Sequence, residues 1–162
     1  MAIATILQLK RDSAADWTSN NPTLAAGRIG VEEDTGQFKI GDGTTAWTSL
    51  KYAGSTLPQN SRSAAYTTVA SDAGKHILHP SADTTARVFT IDSNANVPYP
   101  VGTVLTFVNQ NAGGVITISI TTDTMRLAGA GTTGSRTLAA NGIATAIKVT
   151  STEWLISGTG LT

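Results

Sequence analysis

Four groups of side chains have types and spacings from which chemistry is built. Gly129-Ala130-Gly131-Thr132-Thr133-Gly134 matches G-x-G-x-x-G, and Glu153 lies downstream. A dinucleotide site needs a strand before that run and a helix after it, whose N-terminal amides hold the pyrophosphate. The next residues, Ser135 to Gly142, read as a hairpin, so the run is predicted to be an inter-strand loop and no cofactor is expected. His76 and His79 are the two histidines, with Asp72 and Asp83 nearby. Odd spacing in a strand puts the two rings on opposite faces, so they cannot chelate one ion together. Both are expected to be exposed or at an interface near the turn at Pro80, and no metal is expected. In a symmetric oligomer a single histidine could still meet its copies on an axis.

Glu32, Glu33, Asp34 and Asp42 form the acidic cluster. Paired carboxylates serve glycoside hydrolysis, and Asp/Gly loops bind calcium. Here Asp34-Thr35-Gly36 and Asp42-Gly43 stand where hairpins need turn residues, and turn chemistry is the expectation. No G-x-S-x-G, H-E-x-x-H or phosphate-loop lysine occurs, and Ser, His and Asp have no spacing that selects a triad. The protein is therefore expected not to be an enzyme. Trp17, Trp47 and Trp154 could form a sugar platform; core roles are expected instead, with Trp154 opening a strand with Leu155 and Ile156.

The elements that must position these groups read as strands. Ile116, Ile118 and Ile120 share one strand face. Ile143, Thr145, Ile147 and Val149 repeat the pattern, with Ala144, Ala146 and Lys148 opposite. Val104 to Val108 reads as buried on both faces. The 27 threonines fit this picture, because a β-branched residue suits a pleated surface. Asn141-Gly142 is the strongest hairpin signal, through a type I′ turn. One short helix is considered, capped by Asp12 or Ser13, running through Ala14 to Trp17 and stopped by Asn20-Asn21-Pro22. An irregular turn is the alternative.

Composition bounds the function classes. The 162 residues carry 11 basic and 11 acidic side chains, and charged residues are 14% of the chain. A balanced, sparse charge set does not suit a nucleic-acid partner. No apolar run approaches the roughly 20 residues that span a bilayer, so no membrane partner is expected. There is no cysteine, hence no disulfide framework and no thiolate site. The start of the chain lacks a basic segment before its apolar residues, so no secretory signal is expected. The 40% hydrophobic content suffices for a core.

The fold class expected is mainly β: a small hairpin-rich N-terminal module over residues 1–53, a polar linker over 54–64, and an antiparallel β-sandwich or barrel-like domain over 65–162. The first module is small for a core of its own, so a homotrimer is expected to cover it.

The first module resembles the N-terminal domain of the phage major tropism determinant and of many tail-fibre proteins. The resemblance is carried by Leu7-Gln8-Leu9-Lys10-Arg11-Asp12, Trp17, Leu24-Ala25-Ala26-Gly27-Arg28-Ile29-Gly30, Asp34 to Gly43, and Trp47. Arg28 departs from it, standing where an acidic residue is expected. The second module is similar to β-rich domains of phage fibre and virion proteins at Tyr66-Thr67, Asp72 to Lys75, Pro100 to Thr103 and Gly114 to Ile118. The resemblance implies a trimeric virion protein without catalysis, made in the bacterial host cytoplasm. It would be a short spike, capsid decoration protein or fibre, held to other virion proteins by Arg11, Asp12, Trp17, Gly27, Gly30, Asp34, Gly36, Lys39, Gly41, Asp42, Gly43 and Trp47. The alternative is a receptor-binding module for a host glycan or surface protein. A tail-associated polysaccharide-degrading enzyme is disfavoured, because no catalytic pair stands out in the roughly 98 residues after the linker.

Overall fold

A computed structural model describes residues 9–111 and 113–162. The chain divides into two units, Met1–Thr56 and Leu57–Thr162.

The first unit holds β1 (Lys10–Asp12), α1 (Ala14–Asn20), β2 (Ile29–Glu32) and β3 (Phe38–Ile40), with a 3-10 turn at Trp47–Ser49. The helix forms because Ser13, in extended conformation, accepts a hydrogen bond from the Asp16 amide. It ends because Asn21 adopts the left-handed conformation at φ 40°. Since α1 intervenes, β1 pairs with β2 in parallel, in register Lys10 with Gly30. β2 and β3 form the antiparallel hairpin.

In the second unit, β4 (Gln59–Ser61), β5 (Tyr66–Thr67), β6 (His76–His79), β7 (Arg87–Ile91), β8 (Val104–Asn109), β9 (Ile116–Ile120) and β11 (Arg136–Thr150) build one curled sheet, a half-barrel. Its order is β4-β6-β8-β11-β9-β7-β5. β10 (Thr124–Leu127) and β12 (Glu153–Leu161) extend it, β12 pairing with both β10 and β11. Successive strands go to alternate wings: β4, β6 and β8 pair in parallel on one side, β5, β7 and β9 in parallel on the other. β11 runs antiparallel to both β8 and β9 and joins the wings. The fold is mainly β with a barrel-like second unit, as the sequence implies, but the strand pairing is mixed. Among β4 to β9, parallel pairs arise because each strand's sequence neighbour lies on the opposite wing, which excludes hairpins between them; β11 and β12 form an antiparallel hairpin. Residues 59–61, expected in the linker, form β4, because the polar sequence Gln59-Asn60-Ser61 pairs with His76-Ile77-Leu78.

Asn141-Gly142 is a correction of another kind. These residues lie inside β11, where the register shifts between Leu138 and Ile143. Asn141 has φ 56°, but Gly142 is not in the left-handed region, so the two positive φ angles of a type I′ turn are absent. The pair is a bulge that carries β11 from β9 to β8. The carbonyls of Leu138 and Ala139, beside the bulge, receive hydrogen bonds from the buried Asn109 amide at 3.2 and 3.1 Å.

The core is formed by residues such as Ile77, Phe89, Leu105, Phe107, Ile116, Ile118 and Trp154, all fully buried. Ile116 and Ile118 face inward together, as their spacing implies. On β11 the buried face is Ala144, Ala146 and Lys148, whereas Ile143, Ile147 and Val149 are exposed. The two alanines are small because they stand beside the large inward side chains of β8, Ala144 beside Phe107 and Ala146 beside Leu105.

The two outermost strands of the sheet are consecutive in sequence, so the sheet must curl until its edges approach. Four residues, 62–65, join β4 to β5, and at about 3.3–3.6 Å per residue they bridge a short gap. Asp72, 1% exposed, fastens that gap. Its Oδ1 accepts from Asn60 Nδ2 at 2.7 Å, and its Oδ2 accepts from the Tyr66 hydroxyl at 2.6 Å and the Val69 amide at 2.9 Å. Removing one member of a buried network strands the others. Asp72→Ala is expected to destabilise the protein by about 3 kcal/mol, read as a shifted urea midpoint at an unchanged denaturant slope.

Candidate functional site

The first unit is arranged around two indoles. Trp17 from α1 and Trp47 from the 3-10 turn stack with centroids 4.1 Å apart, at 15° between planes, and both are buried. Trp17 Nε1 donates to the Val31 carbonyl at 2.8 Å. Gly30 lies against the stack: a Cβ there would sit 2.7 Å from Trp47 Cζ3 and 3.0 Å from Trp17. Lys39 is buried, donates from Nζ to the Trp47 carbonyl at 2.8 Å, and lies over the rings of Trp47 and Tyr52. Glu32, also buried, accepts from the Tyr52 hydroxyl and from Thr35 Oγ1, both at 2.6 Å. That carboxylate pushes the Tyr52 phenol up from its ordinary value.

The expected docking residues therefore separate. Trp17, Trp47, Gly30 and Lys39 build the interior. Gly27, Gly41 and Gly43 tie two loops together through Gly27 N–H to the Gly41 carbonyl at 2.8 Å and Gly43 N–H to the Leu24 carbonyl at 3.0 Å. Gly36, at φ 69°, closes the β2–β3 turn. Asp34 receives the Ala14 amide at 2.9 Å, and Asp12 receives the Ser13 amide at 3.0 Å. Arg11 remains on the surface, 2.9 Å from Glu33.

The opposite face of the sheet is what the unit offers outward. Register places Ile29 beside Ile40 and Val31 beside Phe38, with Arg11 next to Val31. Phe38 and Ile40 are 40% and 48% exposed, and Ile29 and Val31 half-buried. The result is an apolar patch with the Arg11–Glu33 pair at its rim, the usual make-up of a protein-binding surface. Sequence reasoning missed Ile29, Val31, Phe38 and Ile40 as site residues. The signal was their alternation with Gly30 and Lys39, which sets them on one face.

The other candidates do not converge. Glu32, Glu33, Asp34 and Asp42 each turn to a separate partner. Asp42 accepts from the Thr44 and Thr45 amides and the Thr45 hydroxyl, bonds that hold its carboxyl well below the usual carboxylate range. Gly129, Gly131 and Gly134 lie between β10 and β11, and a strand comes after them instead of a helix. His76 faces the Gln59 amide and the Leu57 carbonyl. His79 corrects the expectation of exposed rings: it is fully buried, its nitrogens facing Asn109 Oδ1 at 3.1 Å and Asp83 Oδ2 at 3.0 Å. The reason is β6, which runs between β4 and β8 and places His79 beside Asn109. Arg87 grips Asp83 at 2.7 and 3.1 Å and, as the largest cause, pulls its carboxyl well below the usual range.

Gly30→Ala is expected to cost about 1–3 kcal/mol by overpacking the indole stack, visible as altered tryptophan fluorescence and a lower Tm. Asp42 and Asp83 have folded pKa values below their ordinary 3.8, so the stability they lend is complete above that value and is lost as pH falls through the folded values. Melting scans should show an acid-side fall concentrated below about pH 4, and Asp42→Asn with Asp83→Asn should flatten it.

Comparison with known proteins finds phage proteins similar to the first part of the chain. Residues 7–45 match the family described as major tropism determinant N-terminal domain. A protein of Streptococcus pyogenes phage H4489A named hyaluronoglucosaminidase is 46% identical over 46 residues, which are 28% of this chain and 12% of the relative. A crystal structure of full-length streptococcal bacteriophage hyaluronidase, in complex with unsaturated hyaluronan octa-saccharides, is 40% identical over 35% of this chain and 16% of that one, with a TM-score of 0.30. The chain thus spans a small fraction of these relatives. The first of these matches corrects the expectation of a protein outside enzymology: that relative is named as an enzyme, of the class the residue spacing had disfavoured. The first unit thus carries a segment of the major tropism determinant N-terminal domain type and is related to a segment of a phage hyaluronoglucosaminidase.

Proposed function

We propose that the chain is a fibre- or spike-type component of a phage particle, mounted by its first unit and projecting its second. The observation that carries this is the Ile29, Val31, Phe38 and Ile40 face within the stretch that matches the tropism-determinant domain. An apolar patch with a paired charge at its edge suits a permanent partner on the virion more than a transient one. The residues first expected to dock act mostly from behind, holding that face flat.

The second unit assembles as a homotrimer in this reading. Ile143, Ile147 and Val149 are 49%, 39% and 41% exposed and point one way along β11, beside the half-buried Val104 and Val108 of β8. No charged residue interrupts that row, so another copy of the same uncharged row can cover it without desolvating a charge. Recognition of a host glycan or surface protein by loops of this unit is compatible with the same mounting.

A second reading rests on the hyaluronoglucosaminidase match: the chain takes part in breaking down hyaluronan or a related polymer at the host surface. The two readings share the mounting role and differ in what the second unit does.

Phe38→Glu with Ile40→Glu should abolish decoration of particles that lack the protein while leaving the fold intact by circular dichroism. Undiminished decoration would overturn the mounting face. Light scattering should give about three times the 16.7 kDa chain mass; Ile147→Glu should return it to the single-chain value, and a single-chain mass for the unaltered protein would overturn the trimer. Loss of viscosity from a hyaluronan solution would establish the second reading, and unchanged viscosity would remove it.

A further inference from the structure

We propose that Lys148 and Asn94 become joined by an intramolecular amide bond, a covalent staple in a chain that has no cysteine. Lys148, on the inner face of β11, is 1% exposed. Its Nζ donates to Asn94 Oδ1 at 2.7 Å and lies 5.5 Å from the Trp154 ring centroid. None of the ion pairs among the described residues includes Lys148. A cation in this position, with a neutral amide as its hydrogen-bond partner and an indole beside it, lacks the anion that ordinarily offsets burial. The surroundings thus favour any route by which the charge is removed.

The Asn94 side chain is held for such a route. Its backbone N–H donates to Asp123 Oδ2 at 3.0 Å, and Asp123 is 9% exposed. The preceding residue is fixed as well: the Ser93 amide donates to Asp92 Oδ1, and the Ser93 carbonyl accepts from the Asn96 and Val97 amides. The carboxamide carbon of Asn94 is one bond beyond the oxygen that Nζ touches. Two groups kept at contact react as if at very high concentration. Asp123 is here a positioning residue, acting through the Asn94 backbone.

The step balances without oxidant or reductant. Nζ attacks Asn94 Cγ, the Nζ–Cγ bond forms, and the Cγ–Nδ2 bond breaks. Nδ2 leaves as ammonia and carries off the proton that the lysine ammonium gives up. An amide and a buried ammonium become an amide and a solvated ammonium ion. The product is neutral where the reactant was charged, which supplies the direction. It also links β11 to the loop after β7 across 54 residues of sequence, a constraint of the kind that disulfides impose on unfolded chains.

Intact mass spectrometry of the purified, folded full-length protein tests this. The expected mass is one ammonia below that of the sequence. Trypsin should then release residues 88–126 joined to residues 137–162 as one branched peptide, with no cleavage after Lys148. Lys148→Arg, which keeps a cation but removes the amine nucleophile, should stay at full mass. A wild-type chain at full mass after prolonged incubation, with cleavage after Lys148, would overturn the proposal. So would an ammonia loss that maps to Asn141-Gly142, where an asparagine can cyclise on its own backbone.

Discussion

The second unit depends on one buried carboxylate. Asp72 takes three hydrogen bonds, from Asn60, Tyr66 and Val69, and so connects the two outermost strands of a sheet whose seven-strand order begins and ends with sequence neighbours. Everything between those edges alternates from wing to wing, and no wing contains two consecutive strands. The interior filled by Phe89, Phe107 and Trp154 exists because the sheet is curled, and the curl is held where β4 and β5 meet. Burial of the charge is tolerable because each oxygen is hydrogen-bonded.

A second polar line runs along the same unit for a related reason. The bulge at Asn141-Gly142 interrupts the register between Leu138 and Ile143, and Asn109 donates to the carbonyls of Leu138 and Ala139. Asn109 in turn meets His79, His79 meets Asp83, and Asp83 holds Arg87. Buried polar groups here are consequences of topology: where β11 departs from regular pairing after Leu138, the Asn109 side chain supplies a partner.

Much of this was legible in the residues, and the failures have physical causes. Strand periodicity located β8, β9 and β11, since Ile116, Ile118, Leu105 and Phe107 obey a local rule. The short helix was legible through Ser13, a cap that acts within three residues. Parallel pairing was not legible, because it depends on which wing each strand joins. Asn141-Gly142 misled because its turn preference is local whereas β8 and β9 draw the strand onward through it. For the first unit, the Gly, Asp and Trp positions mark the module, and Trp17 and Trp47 take the core roles expected of them. Most of these positions serve a small core or its turns, while the exposed face of Phe38 and Ile40 shows in the sequence only as alternation about Lys39. The relationship to a phage hyaluronoglucosaminidase leaves less: no spacing of carboxylates announces it.

The central position of β11 has a consequence for synthesis. Without it β8 and β9 are open edges, each carrying a row of unpaired backbone groups. As the chain leaves the ribosome, both wings can form before residues 136–147 arrive to join them. Until then the nascent protein exposes two sticky margins of the kind that template association between neighbouring chains. Premature termination just before Arg136 therefore leaves both margins uncovered, where termination near the linker leaves neither wing formed, and polysomes bearing this message hold such intermediates side by side.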